Sequence, residues 1–450
     1  MASGERGLEL RVAFKRFETA RHRTRQAWGL DRLGADDQAP QPLLAFLVAG
    51  HAVWAFEDRL LDPAVGGDLD RIPDRKPVLR DQVVALVDAP IDGELHRLGL
   101  SGGPQPSSVR LDRHRVQLKL ESMNGRERVE AALDLGIGDR PPVGAWGHTY
   151  REEWSPDELA RVTVERARQF GWDFVKFQPR ATCFAEAFGS VYKPAGHRLK
   201  GPVPVSFAVP DLDAWQTVSA TNPKALYDQV ESIGMVAREL GPDVPVIQTV
   251  FSPITVAGYL VGKSKSRVVR ELRKHPDEVR PALERIAEVL VDFSKRSVKA
   301  GAAGVFYAIS GYTSKDAMPE SVYRELVLPL DVSVLKQLPT EAWFNAVHLC
   351  GSNLQFGLSR DLPAQVISWS VHNQGNPTLA EGRTISRRTV MGGLGQRGSL
   401  LYGPPAEVEA EARRAVAETG GRGLLLAPGC SVPTRARDAN LAAMAAAVAA

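Results

Sequence analysis

The chain has 450 residues, 44% of them hydrophobic and 24% charged, with 56 Lys and Arg set against 53 Asp and Glu. This is an ordinary globular composition, and it excludes a disordered, fibrous or collagen-like chain. The net charge of +3 is spread evenly along the chain, so no nucleic acid or other polyanion is expected as a partner.

The N-terminal run MASGERGLELRVAFKRF contains no apolar core of a signal peptide, and the expectation is a cytoplasmic protein. The longest apolar stretch, Leu43 to Phe56, is broken by Gly50 and His51 and is shorter than the roughly 20 residues a membrane helix needs, so no membrane association is expected. Cys183, Cys350 and Cys430 occur without a secretory signal. In a reducing compartment such thiols serve metals or catalysis more often than disulfides.

In chain order, the segments RVAFKRFETARHRTRQAWGL, PLLAFLVAGHAVWAFEDRLL and KPVLRDQVVALVDAPIDGELHRL carry apolar residues at helical spacing. They predict an all-helical N-terminal domain over residues 1–120. The Gly, Pro and Ser content of GLSGGPQPSS marks a linker, and a boundary follows it near residues 110–122.

From residue 122 onward, short apolar β-rich runs alternate with long amphipathic ones, as in βα units around a parallel sheet. The runs are Val143 to Gly147, Phe174 to Gln178, Pro245 to Phe251, Gly304 to Ser310, Trp343 to Cys350, Gln365 to Trp369, Thr389 to Leu394, and Gly423 to Cys430. Helical stretches such as PDELARVTVERARQFG and PAEVEAEARRAVAETGG lie between them, opened by Ser, Asp or Pro and closed by Gly. Eight alternations predict a (β/α)8 TIM barrel over residues 122–450.

In such a barrel the reacting groups gather at the carboxyl ends of the strands. The fifth run ends in His348-Leu349-Cys350, and strand alternation places imidazole and thiol on the same side. The eighth ends in Pro428-Gly429-Cys430. On its own, His-x-Cys is more often a packed histidine beside a buried thiol. Here, two of the three cysteines fall at strand ends, which favours a shared soft cation. His348, Cys350 and Cys430 are the expected ligands of a catalytic zinc, because a structural site would ordinarily close with a fourth Cys or His.

The pieces Phe251-Ser252-Pro253-Ile254-Thr255-Val256-Ala257-Gly258-Tyr259-Leu260, His348-Leu349-Cys350-Gly351 and Leu426-Ala427-Pro428-Gly429-Cys430-Ser431-Val432-Pro433, with Asn440 following, resemble the uroporphyrinogen decarboxylase superfamily. Within it they resemble the zinc-dependent corrinoid methyltransferase branch, and the likeness covers residues 122–450. It implies a zinc-binding barrel that moves a methyl group from a methylated corrinoid, such as methylcobalamin or a corrinoid protein, to a small thiol such as coenzyme M. The decarboxylase branch carries an Arg-bearing segment after its first strand, where this chain has Gly144-Ala145-Trp146-Gly147-His148-Thr149-Tyr150, so haem synthesis is disfavoured.

Glu186 matches the Ala-Glu-Ala-x-Gly run of the methyltransferases, and the resemblance implies a fourth zinc ligand that an incoming thiol displaces. His148 and Tyr150 are expected in the pocket with catalytic roles. Gln178, Gln248 and Tyr307, near strand ends, are expected to line it, and His372 and Asn373 to contact substrate or support a ligand. Cys183 reads as a buried small residue. The basic run from Lys263 to Lys274 reads as a solvated surface, with docking of an acidic corrinoid protein as the rival reading. Two alternatives stand beside methyl transfer: metal-free decarboxylation of a tetrapyrrole or other carboxylated substrate, and an inactive barrel serving as a binding module.

Overall fold

The computed structural model describes residues 123–448, together with two short strands, Leu47–Ala49 and Ala52–Trp54. By its internal packing the chain divides into two units, residues 1–120 and 121–450. In the first, the two strands pair antiparallel with Val48 opposite Val53, inside a segment expected to be helical. Gly50 is a poor residue for a helix interior, whereas β-branched Val48 and Val53 suit a pleated pair. The remaining helices expected in residues 1–120 lie outside the described residues.

In the second unit, seven strands form one parallel sheet: β1 (Val175–Phe177), β2 (Val246–Phe251), β3 (Gly304–Ser310), β4 (Ala346–Cys350), β5 (Val366–Ser368), β6 (Thr389–Leu394) and β7 (Leu424–Pro428). They lie side by side in sequence order. Each was legible as a short apolar run, and nearly all of their residues are buried, as parallel strands covered on both faces require. The eighth run, Val143 to Gly147, forms isolated bridges rather than a regular strand. Its backbone still reaches both edges of the sheet. Gly144 N donates to Leu426 O on β7, and Asp173 N, just before β1, donates to Val143 O. Buried Asp173 fastens this junction, accepting from Arg128 Nη1 at 2.7 Å, from Arg140 Nη1 at 2.5 Å and from Val143 N at 2.8 Å.

Helices fill the connections: α1 (Pro156–Phe170), α2 (Lys224–Leu240), α3 (Pro253–Leu260), α4 (Pro276–Lys299), α5 (Glu320–Leu326), α6 (Leu328–Lys336) and α7 (Pro405–Thr419). Ser155 accepts from Glu158 N to open α1, and Gly171 closes it in the left-handed region. Between β3 and β4 the chain forms two helices, α5 and α6, rather than one. Pro329, which has no N–H to give, sits in the first turn of the second piece. Helix α3 was not foreseen: its residues are nearly all apolar and buried, so no amphipathic period marks it. An antiparallel pair, Val191–Lys193 with Val203–Ser206, follows β1. No helix among the described residues is long and apolar enough to cross a membrane.

Candidate metal centre

Strand β4 alternates Val347 and Leu349 on one face with Ala346, His348 and Cys350 on the other. His348 is buried, and its ring stacks on Phe306 of β3 with centroids 5.2 Å apart. Its Nδ1 lies 3.1 Å from Ser368 Oγ at the end of β5. The other ring nitrogen, Nε2, is buried without a hydrogen-bond partner.

Cys430 arrives from the turn after β7. Gly429 makes that approach possible, since a Cβ there would stand 2.6 Å from Ser370 Cα. Behind Cys350, the carbonyl of Gly351 accepts from Asn373 Nδ2 at 3.0 Å and Asn376 Nδ2 at 2.9 Å, which fixes the strand end. One ligand atom from each of His348, Cys350 and Cys430 then lies within 4.8 Å of the others.

Charge is shared unevenly between the two sulfurs. The neighbouring Cys430, together with burial, holds the Cys350 thiol far above the usual thiol range. The same proximity, with help from His348, pulls Cys430 well below it. A divalent ion that accepts soft donors would displace the thiol protons. The donor set fits such an ion: an orphaned imidazole nitrogen faces two thiols, and nitrogen plus sulfur is the preference of zinc.

Lys176, absent from the sequence-level candidates, lies in the same interior. Its Nζ donates to Gln178 Oε1 at 2.5 Å and sits 4.8 Å from the centroid of Phe306, the ring that stacks on His348. Burial pushes its ammonium down to about 7, against the opposing pull of Cys430 and Glu153. The signal was available: in Phe-Val-Lys-Phe-Gln, Lys176 and Gln178 share one face of an otherwise apolar strand. Ser368, the partner of His348, carried no comparable signal.

Several expected residues gather nearby. Gln178 Nε2 lies 3.4 Å from His148 Nε2, and Ser431 Oγ donates to Gln178 Oε1 at 3.4 Å. His148 Nδ1 pairs with buried Glu153 at 2.7 Å, and its ring stacks on Tyr150.

Other placements differ from expectation. Glu186 is not among the clustered donors. Arg180 grips its carboxylate through Nε at 3.0 Å and Nη2 at 2.6 Å, and Thr182 Oγ1 donates at 2.6 Å, so both oxygens already accept hydrogen bonds. Tyr307 turns outward, donating to Asp331 of α6 at 2.6 Å, because it is one residue out of phase with Phe306. The register sets Gln248 beside Phe177 and Val305, on that same outward face and away from Lys176 and Phe306. His372 is half-exposed and pairs with Glu411 at 3.0 Å, which raises its pKa. Cys183 is fully buried in the core. A surface groove lined by Leu354, Phe356, Asn376, Pro377 and Ile385 includes none of the three donors.

Fold and donors together define the class: a parallel α/β protein with a nitrogen–sulfur donor cluster at the carboxyl ends of its strands. The chain belongs to the uroporphyrinogen decarboxylase (URO-D) family, whose model matches residues 151–450. It is 27% identical over 304 residues to a methylcobamide:CoM methyltransferase, MtaA, from Methanosarcina barkeri, covering 65% of this chain and 84% of that one. It is 25% identical over 273 residues to a uroporphyrinogen decarboxylase from Salinibacter ruber, covering 59% of this chain and 74% of that protein. Among solved structures, a methyltransferase from Methanosarcina mazei shares the fold with a TM-score of 0.62 at 22% identity, over 72% of this chain and 98% of that one.

Proposed function

We propose that this chain is a zinc-dependent methyltransferase that moves a methyl group from a methylated corrinoid to a small thiol. In this reading residues 122–450 form a closed (β/α)8 barrel, residues 1–120 form a separate domain, and the donor is methylcobalamin or a corrinoid protein. The observation that carries it is the buried Nε2 of His348, without a partner and clustered with two thiols. Metal-free decarboxylation has no use for such a set. The methylcobamide:CoM methyltransferase relative supports the same reaction class.

His348, Cys350 and Cys430 would hold the zinc, which when bound would act as a Lewis acid that keeps a substrate sulfur in its thiolate form near neutral pH. The remaining work belongs to the chain. Ser368 orients the imidazole, while Asn373 and Asn376 hold the carbonyl behind Cys350. Trp146 and Phe306, edge to face at 5.3 Å, wall the interior against water. Gln178 and His148, joined to Ser431 beside Cys430, line the approach for substrate. Transfer by in-line displacement needs alignment more than proton movement, which suits a site built of fixed side chains.

The test is metal content followed by turnover. Purified protein should carry about one zinc per chain, and Cys350→Ser and Cys430→Ser should each retain far less. The zinc form should demethylate methylcobalamin with at least one of a panel of small thiols. If metal is absent, or a porphyrinogen loses CO2 while no thiol reacts, the reading is wrong.

A further inference from the structure

Lys176 is a buried amine that forms no ion pair with a carboxylate among the described residues. Its one hydrogen-bond acceptor is the neutral amide oxygen of Gln178. Ring faces lie close by, Phe306 at 4.8 Å and Trp146 at 5.6 Å, while Cys430 and Glu153 act on its charge without forming an ion pair. Rings attract a cation but do not neutralise it. A folded chain keeps such a charge at a cost unless an anion completes it.

The donor cluster supplies the reason for an anion there. A divalent ion held by a neutral imidazole and two thiolates carries no net charge. When a third thiol joined such an ion as its thiolate, its S–H bond would break, a metal–sulfur bond would form, the proton would pass to the buffer and the assembly would become singly negative. That charge would appear close to the ring of Phe306, which both His348 and Lys176 touch.

We propose that Lys176 is the resident counter-charge of the incoming thiolate, a positioning residue that makes the centre select an anionic sulfur over a neutral ligand. The proposal rests on the metal centre proposed above. It concerns a residue outside the donor set and an aspect of specificity that the three ligands alone do not provide.

The experiment uses cobalt(II)-loaded full-length protein, whose sulfur-to-cobalt charge-transfer band reports each added thiolate. The probes are 2-mercaptoethanol, which binds as a thiolate but carries no other charge, and imidazole, a neutral ligand for the same position. In Lys176→Met the affinity for 2-mercaptoethanol should fall about 10- to 100-fold, the scale of one close charge pair in a partly screened interior. The affinity for imidazole should stay within about twofold, because a neutral ligand creates no charge to balance. Lys176→Gln, which keeps a polar contact to Gln178, provides a second neutral variant should the first not fold, and the same split is expected. Lys176→Arg should retain the preference for the thiolate.

Equal weakening of both probes would mean a merely structural role and would overturn the proposal, as would unchanged thiolate affinity in a neutral variant that carries its cobalt. A parent protein that takes up no cobalt would overturn the metal centre itself, and this inference with it. The two failures are therefore told apart by the metal content of the parent.

Discussion

Ser368 Oγ lies 3.1 Å from Nδ1 of His348, and the opposite ring nitrogen faces the cysteines with no partner of its own. A hydrogen bond on one side of an imidazole fixes the ring plane and aims the other nitrogen. Ser368→Ala removes that support while leaving all three donors in place. Zinc affinity, measured by competition with a chromophoric chelator, should drop roughly tenfold with little change in melting temperature. Unchanged affinity would mean that stacking on Phe306 alone holds the ring.

Gly429 carries a comparable burden through its lack of a side chain. Alanine there would set a Cβ 2.6 Å from Ser370 Cα and 2.7 Å from Ser370 Cβ. Backbone cannot yield as a flexible tip can, so the turn must shift and carry Cys430 with it. We expect Gly429→Ala to fold but to lose at least about tenfold in zinc affinity, the scale of a disturbed ligand support. Equilibrium dialysis against zinc checks this, and parent-like binding would show that the turn can absorb a methyl group.

Much of this centre was legible because its logic is short-range in sequence. His348 and Cys350 sit two apart on a strand, and Gly-Cys directly follows another. Tyr307 and Gln248 face away from the donors for a physical reason. Their strands are buried on both faces, so no alternation of polar and apolar residues shows which side chain points inward. The phase is set by neighbouring strands, with Thr249 beside Phe306 and Ala308 beside His348. Glu186 is a different case. Its local run fits a ligand, but Arg180, six residues earlier, binds the carboxylate bidentately.

That capture gives Glu186→Gln a split outcome. Zinc content should match the parent, because the carboxylate is committed to Arg180 and Thr182 rather than to the donor cluster. Stability should fall by about 3 kcal/mol, since removing one member of a buried pair leaves a guanidinium uncompensated. Urea unfolding and metal analysis of the same preparation test both halves. Loss of zinc without loss of stability would return Glu186 to the ligand set.

Asp331 ties stability to pH. Its buried carboxyl accepts from Tyr307 at 2.6 Å and from Tyr323, and burial outweighs these bonds to push its pKa up to about 6. An unfolded aspartate titrates near ~3.9, so between these values the native state holds a proton that the unfolded chain has released. Folding therefore gains from this group fully below pH ~4, and the gain is lost as pH rises through about 6, a difference on the order of 2–3 kcal/mol. Asparagine has no such proton. The stability of the parent relative to Asp331→Asn should decline between pH 4 and 7 and then level, as read from paired urea titrations across that range. A difference that stays flat with pH would show that Asp331 is already ionised at the acid end of the range.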